Sequence, residues 1–203
     1  MDPVIIAIDG EASTGKSTQA KKIAEKFNYN YRDSGAYYRA ITLYLIKNNI
    51  NSNDNISQSV LSLISIDQVY KDKKLSIYLN GNDVTQKIRG FKVSVNVSNF
   101  AKKPEIRDFV YEQLRSSAKS NSLVIDGRDI GTVVFPNATF KFFLLADPKI
   151  RAERRHKQIN DKSVKLESIE EEIILRDNTD STRKIAPLKK ADDAFEIDVT
   201  LLT

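Results

Sequence analysis

The chain of 203 residues contains no cysteine and a single histidine. Without cysteine there is no disulfide and no thiolate metal site, which is in keeping with a cytoplasmic location. The one histidine, His156, lies among basic residues, so it is expected to be solvated and not catalytic. No His–Ser or His–Cys pair is available for nucleophilic catalysis. No run of eighteen apolar residues occurs, so no membrane span is expected. The N-terminus enters an apolar strand directly, without the basic and long apolar segments of a secretory signal. Repeats, low-complexity segments and an N-K-x-D guanine-reading motif are also lacking. Charge is unbalanced only mildly: 32 Lys and Arg against 27 Asp and Glu give +5. That excess suits nucleic acid or small anionic substrates, and the placement of the arginines must decide between them.

Residues Gly10, Glu11, Ala12, Ser13, Thr14, Gly15, Lys16 and Ser17 read GEASTGKS, directly after the apolar run Val4 to Ile8. A G-x-x-x-x-G-K-[ST] loop entered from a buried strand and left into a helix is a phosphate cradle. Its backbone N–H groups converge, the following helix adds a positive dipole end, and Lys16 adds a full charge. The cradle, extended to Thr18, is expected to hold the polyphosphate of a nucleoside triphosphate such as ATP. The Ser17 hydroxyl is placed to ligate Mg²⁺.

Downstream, Ala20, Ile23, Ala24 and Phe27 have the spacing of an amphipathic helix. A short strand over Tyr29 to Arg32 ends at Asp33-Ser34-Gly35, and a second helix follows to Lys47. The Asn/Ser/Asp-rich stretch from Asn49 to Ser57 reads as a boundary. Beyond it, apolar alternation and an Asn80-Gly81 turn predict an antiparallel meander, hence a β-rich insertion over 57–95. The core, residues 1–56 and 96–203, resumes with a helix from Pro104. Strands are predicted at Ser122 to Ile125, Thr139 to Ala146 and Ala194 to Val199. Strands alternating with helices imply an α/β fold, a five-stranded parallel sheet flanked by helices. Ligands of such sheets gather at the carboxyl ends of the strands, where the loop, Asp33-Ser34-Gly35 and Asp126 to Asp129 all fall.

Between about 148 and 183 the chain is helical and rich in arginine. Arg151, Arg154 and Arg155 share one helix face, as do Arg176, Asp180 and Arg183. Arginine at these positions favours planar, bidentate recognition of phosphate, so this segment is expected to be a lid over the triphosphate. Lys16, Arg128, Arg151, Arg154 and Arg155 are the expected catalytic groups. Arg39, Arg107 and Arg128 fall on three separate elements, and their convergence would make a second anion site facing the first. An acceptor that is already a phosphate anion needs no general base, and none is evident.

The stretches IAIDGEASTGKST, DSGAYYRA, YLNGNDVT, VIDGRDIGTVVFP, IRAERR and RDNTDSTRKIAPLKKADDAFEIDVT, taken together, resemble the bacterial cytidylate kinases. The segment around KKPEIRDFVYEQLR belongs to the same resemblance, which spans nearly the whole chain in order. It implies a P-loop kinase core with a small antiparallel β insertion for the acceptor and a helical lid. It also implies transfer of the terminal phosphate of ATP to CMP or dCMP, with Mg²⁺, by a monomer without nucleic-acid or membrane partners. Carried onto matching positions, the acceptor contacts would be Ser34, Arg39, Ser98, Arg107, Arg128, Asp129, Arg176, Asp180 and Arg183. Within that set a carboxylate such as Asp129 suits the cytosine amine, while Arg107 and Ser98 donate to the ring acceptors. Asp180 would suit a ribose hydroxyl. Asp126 ends a hydrophobic strand, where a magnesium-organising carboxylate commonly lies and where a turn residue would also be at home.

Two departures stand out. The family usually has proline after the first loop glycine; here Glu11 stands there, and its side chain is expected to point to solvent, since ATP phosphates would repel it. The chain also stops at Thr203, soon after the fifth strand, so part of one sheet face is expected to be less covered. Two further readings remain: a related kinase for another acceptor such as UMP or a small alcohol, and a nucleic-acid-binding P-loop ATPase.

Overall fold

The computed structural model describes residues 3–159 and 164–202; residues 160–163 of the expected lid lie outside this range. At its centre is a five-stranded parallel sheet. It is formed by β1 (Ile5–Gly10), β2 (Asn30–Asp33), β6 (Leu123–Asp126), β7 (Phe140–Leu145) and β8 (Phe195–Asp198), in the order β2-β6-β1-β7-β8. Central β1 and β6 are continuous apolar runs because helices cover both of their faces; Leu123, Val124 and Ile125 are fully buried. Pairing of Ile8 with Asp126, and of Asp126 with Asp33, aligns the carboxyl ends of three strands. Asp9, Gly10, Asp33 and Asp126 therefore sit on one rim.

The helices are α1 (Lys16–Phe27), α2 (Ser34–Lys47), the single turn α3 (Gln58–Leu61), α4 (Phe91–Phe100), α5 (Pro104–Ser117), α6 (Pro148–Ile159) and α7 (Leu166–Thr182). The Asp33 carboxylate caps α2 by accepting from the Ala36 amide at 3.0 Å. Proline opens α5, where its missing N–H costs nothing.

A second sheet, antiparallel, joins β3 (Ile66–Lys71), β4 (Lys74–Leu79) and β5 (Asn82–Asp83). Its β4–β5 turn has Asn80 and Gly81 at φ 48° and 76°, the left-handed pair that a tight hairpin demands. The same apolar cluster contains Ile66, Leu75 and Ile77 from this sheet and Ile41 and Leu45 from α2. The sequence FKVSVNVSNF, inside and just beyond the β-rich insertion expected over 57–95, is the helix α4. Val93, Val97 and Phe100 bury at helical spacing there, and tertiary burial outweighs the strand preference of three valines.

Edge strand β8 is exposed along its length, with Phe195 64% and Phe140 of neighbouring β7 48% accessible. No helix among the described residues is long and apolar enough to cross a membrane.

Candidate active site

The loop between β1 and α1 wraps the rim of the sheet. Gly10 has φ 141°, and a Cβ there would lie 2.0 Å from the Leu144 carbonyl oxygen, so only glycine lets β1 turn away this close to β7. Gly15 caps α1 in the left-handed region at φ 87°. Among the described residues the amides of Ser13, Thr14 and Gly15 donate to no protein acceptor, which leaves them available to an anion. Lys16 is 5% exposed, folds back to donate to the Glu11 carbonyl, and lies 3.2 Å from the Thr14 hydroxyl. Burial, then the nearby Arg128 guanidinium, lowers the Lys16 ammonium well below its usual pKa. A ligand of opposite charge would relieve both effects.

Beside Lys16, the Ser17 hydroxyl donates to Asp126 Oδ2 at 2.7 Å, and the Tyr31 hydroxyl donates to Asp126 Oδ1 at 2.6 Å. Burial pushes the Asp126 carboxyl up to about 6, with the Asp33 charge adding to the shift. A hydroxyl and a carboxylate next to a triphosphate cradle form a hard oxygen donor set, which suits Mg²⁺.

The loop shares a cleft of about 1250 Å³ with the groups expected to hold the acceptor. Ser34, Arg39, Ser98, Arg128, Asp129, Arg176, Asp180 and Arg183 all line this cleft together with the loop. Arg39 is anchored by the Ile88 carbonyl at 3.1 Å and the Ser94 hydroxyl at 3.0 Å. Arg128 Nε donates to Asp180 Oδ2 at 3.1 Å, and Arg183 bridges Asp180 and Asp129. Burial alone would raise the Asp180 carboxyl, but Arg128, Arg176 and Arg183 hold it below the usual range. Arg176 Nε is buried and, among the described residues, meets no hydrogen-bond partner. An orphaned guanidinium donor in a cleft is costly unless an anion meets it. Among the groups expected to hold the acceptor, the four guanidiniums of Arg39, Arg128, Arg176 and Arg183 stand with the two carboxylates of Asp129 and Asp180, and the surplus of two positive charges is the complement of a phosphate dianion.

Some expected orientations are not observed. Arg107 does not line the cleft; it is 1% exposed behind Asp129. Three of its donors are engaged, by Ala101 O, the Tyr111 hydroxyl and Asp129 Oδ2, because a buried guanidinium must find acceptors. Ser34 likewise gives its hydroxyl to the Asp126 carbonyl at 2.8 Å.

The three arginines on the first lid helix do not act as one face. Arg151 is buried beneath the loop, bonded to Ala146 O at 2.8 Å, Ala12 O at 3.1 Å and the Asp177 carboxylate. Arg154 is tied to the segment after β8 through Val199 O at 2.7 Å, and only Arg155 is exposed at the cleft. Helical spacing fixes direction, but α6 packs closely enough on α7 and the loop to bury the first of the three. His156 is half-buried and its Nε2 lies 3.0 Å from the Val164 carbonyl oxygen.

Glu11, expected to face solvent, instead sets Oε2 3.4 Å from Arg151 Nη2 and 3.4 Å from the Ala146 amide. The buried cation of Arg151 draws it in.

Four residues carry site geometry without a sequence signal. Asp177 accepts from the Ala12 amide at 2.8 Å and pairs with Arg151, so lid and loop are joined through one carboxylate. Ala12 packs with Ala152, Ile169 and Ile173 of the lid at the same place. Asp9 accepts from the Ile130 and Gly131 amides at 2.9 and 2.7 Å, fixing the π-helical turn Ile130–Val134 that follows Asp129. Burial pushes its carboxyl up to about 6. Tyr31 and Tyr111 complete the set through their hydroxyls. Gly127 is required beside them, since a Cβ there would sit 2.6 Å from the Ser34 hydroxyl and from Ile130.

A phosphate-binding loop on an α/β core, opening into a cleft lined by guanidiniums and flanked by α6 and α7, is the arrangement of a phosphotransferase of the P-loop kinase class. The family model described as cytidylate kinase matches residues 6–203. A cytidylate kinase of Clostridium tetani (strain Massachusetts / E88) is 50% identical over 199 residues, covering 97% of this chain and 87% of the relative. One from Fusobacterium nucleatum subsp. nucleatum is 47% identical over 206 residues, covering 100% and 93%. The chain belongs to the cytidylate kinase family. Among solved structures, an uncharacterized protein from Eubacterium ventriosum ATCC 27560 shares the fold, at TM-score 0.51 and 19% identity, covering 98% of this chain and 91% of that one.

Proposed function

We propose that the protein transfers the terminal phosphate of ATP to CMP or dCMP, giving ADP and CDP or dCDP. Membership of the family supports this, and the observation that carries it is the shared cleft of about 1250 Å³, lined by the loop together with Arg39, Arg128, Arg176 and Asp129. Within the loop Gly10 to Thr18, the free amides of Ser13, Thr14 and Gly15 and the Lys16 ammonium would bind the β- and γ-phosphates of ATP. Ser17 and Asp126 would hold Mg²⁺, which supplies positive charge to those phosphate oxygens. Arg39, Arg128 and Arg176 would hold the acceptor phosphate in line, and Arg155 would approach the transferring group from the lid. Asp180 would take a ribose hydroxyl. Asp129 Oδ1 would accept from the cytosine amine, and the half-buried Ser98 hydroxyl would meet a ring acceptor. Arg151 and Arg154 would serve the reaction by holding the lid in place. The attacking oxygen is already anionic, so no general base is assigned.

Residues 1–56 and 96–203 would act as the core and 57–95 as the acceptor-side insertion, in a cytoplasmic monomer; sedimentation at assay concentration checks the last point. ADP release measured with CMP, dCMP, UMP and AMP at equal concentration tests the acceptor. CMP or dCMP should be fastest. Faster turnover of UMP or AMP, or RNA binding without CMP-dependent ADP release, would overturn the assignment.

A further inference from the structure

The Asp129 carboxylate has two chemically equal oxygens, and a base is read correctly only if one of them is held facing the cleft. Its Oδ2 accepts from Arg107 Nη2 and from the Tyr111 hydroxyl, the latter at 2.8 Å. Among the described residues Oδ1 accepts only from Arg183 Nη2, at 3.3 Å, so it retains acceptor capacity. The Tyr111 oxygen is itself fixed, because Arg107 Nε donates to it at 2.8 Å. With its oxygen receiving one proton from Arg107, the hydroxyl must direct its own proton at Asp129.

The ring has little freedom to depart from this arrangement. The Arg107 guanidinium lies 5.3 Å from the Tyr111 centroid and that of Arg115 lies 5.7 Å from it. Arg107, Tyr111 and Arg115 recur every four residues along α5, so one helix face supplies both guanidiniums and the ring between them. Arg115 in turn is bound to the Val133 and Val134 carbonyls, at 3.0 and 3.1 Å, in the turn that follows Asp129. The tyrosine is 8% exposed, so solvent competes little for the bonds it makes.

We propose that Tyr111 is a positioning residue for acceptor-base selection, holding Asp129 Oδ2 and Arg107 in one arrangement so that Oδ1 is presented to an exocyclic amine. This rests on the CMP reading above. A base with a carbonyl at that place meets a carboxylate oxygen that cannot turn away or exchange roles. Without the hydroxyl, Asp129 rotates more freely, Arg107 Nε loses its acceptor, and the penalty against a carbonyl-bearing base such as uracil shrinks.

The test is competition of CMP and UMP in one tube, reading the ratio of CDP to UDP formed. That ratio reports relative kcat/KM and is independent of how much enzyme is folded. In Tyr111→Phe it should fall roughly tenfold, with CMP KM raised, kcat within about twofold and ATP KM unchanged. In an Asp129→Asn background the same substitution should move the ratio by less than about twofold, because Tyr111 acts through Asp129. A CMP-selective wild type whose Tyr111→Phe variant keeps its ratio within about twofold overturns this proposal alone, as does a full additional drop in the Asp129→Asn background. A wild type that prefers UMP overturns the functional reading and this proposal with it. If Tyr111→Phe gives no active fraction, Arg115→Leu, which uncovers the ring on its far side, decides. A fall in ratio of about threefold supports the proposal, and an unchanged ratio overturns it.

Discussion

The two walls of the cleft are built on opposite principles. The loop wall is one stretch of eight consecutive residues, Gly10 to Ser17, and its free binding groups are backbone amides plus one ammonium. The facing wall draws Arg39 from α2, Ser98 from α4, Arg128 and Asp129 from the end of β6, and Arg176, Asp180 and Arg183 from the end of α7. The first wall depends chiefly on backbone conformation, with Gly10 and Gly15 fixed by their positive φ. In the second, carboxylates and guanidiniums hold one another, so losing one member disturbs its partners.

The largest break in this comparison is expected at the one charged side chain that the loop does use. Lys16→Ala should lower kcat on the order of a thousandfold, since charge is lost where transition-state oxygens need it, in a site that excludes water. CMP binding to the free enzyme should change little, because Lys16 belongs to the other wall. Single-turnover assays with titration of CMP separate the two. A near wild-type rate would show that the loop amides alone suffice.

Next in size is a substitution on the facing wall. Arg128→Ala should reduce kcat/KM for CMP by about a hundredfold, because it removes a phosphate donor and leaves the buried Asp180 carboxylate with only the longer 3.5 Å contact to Arg183. ATP KM should stay within about threefold. A defect confined to ATP would mean that Arg128 serves the loop side, and the division into two walls would fail.

The rim joining the walls titrates. Asp9 reaches the turn after Asp129 through two amides, and its carboxyl lies at about 6 in the folded chain against 3.8 when free. Between these values the native state binds more proton than the unfolded one, so this group makes stability fall as pH rises from about 4 to about 6. Above that window its contribution is flat. Unfolding free energies of wild type and Asp9→Asn, read from denaturant titrations over that range, should diverge by on the order of 1–3 kcal/mol, the variant lacking this slope. Parallel profiles would place the titration elsewhere.

How much of this was legible follows from the same contrast. The loop could be read directly because its chemistry is contiguous and its glycines are demanded by backbone geometry, as Gly10 beside Leu144 shows. The parallel sheet followed from apolar runs alternating with helices. The facing wall was legible only in its residue identities. Helical spacing put Arg151, Arg154 and Arg155 on one side of α6 but said nothing of what that side meets, so a buried strut and a cleft-facing cation looked alike. Arg107 looked like a free donor because nothing in the sequence marks Tyr111 as its partner. Asp9 was hidden because a polar residue at a strand end reads as an ordinary boundary. The β-rich insertion expected over 57–95 also takes in the start of α4, whose Val93, Val97 and Phe100 bury at helical spacing.

The smallest effect expected sharpens the comparison most, because it concerns the one loop side chain that departs from the family pattern. Glu11 is 31% exposed and faces Arg151 at 3.4 Å. Solvent screens a pair of this kind, and such pairs contribute about 0–1 kcal/mol. Arg151 also keeps Asp177, Ala146 O and Ala12 O when Glu11 is removed, so it is not left without partners. Glu11→Ala should therefore raise ATP KM by no more than about threefold and leave CMP KM unchanged. Asp177 is different, since it holds the Ala12 amide of the loop itself. A tenfold or greater change in ATP KM for Glu11→Ala, read by initial rates at saturating CMP, would mean that this side chain, and not the backbone alone, sets the loop conformation.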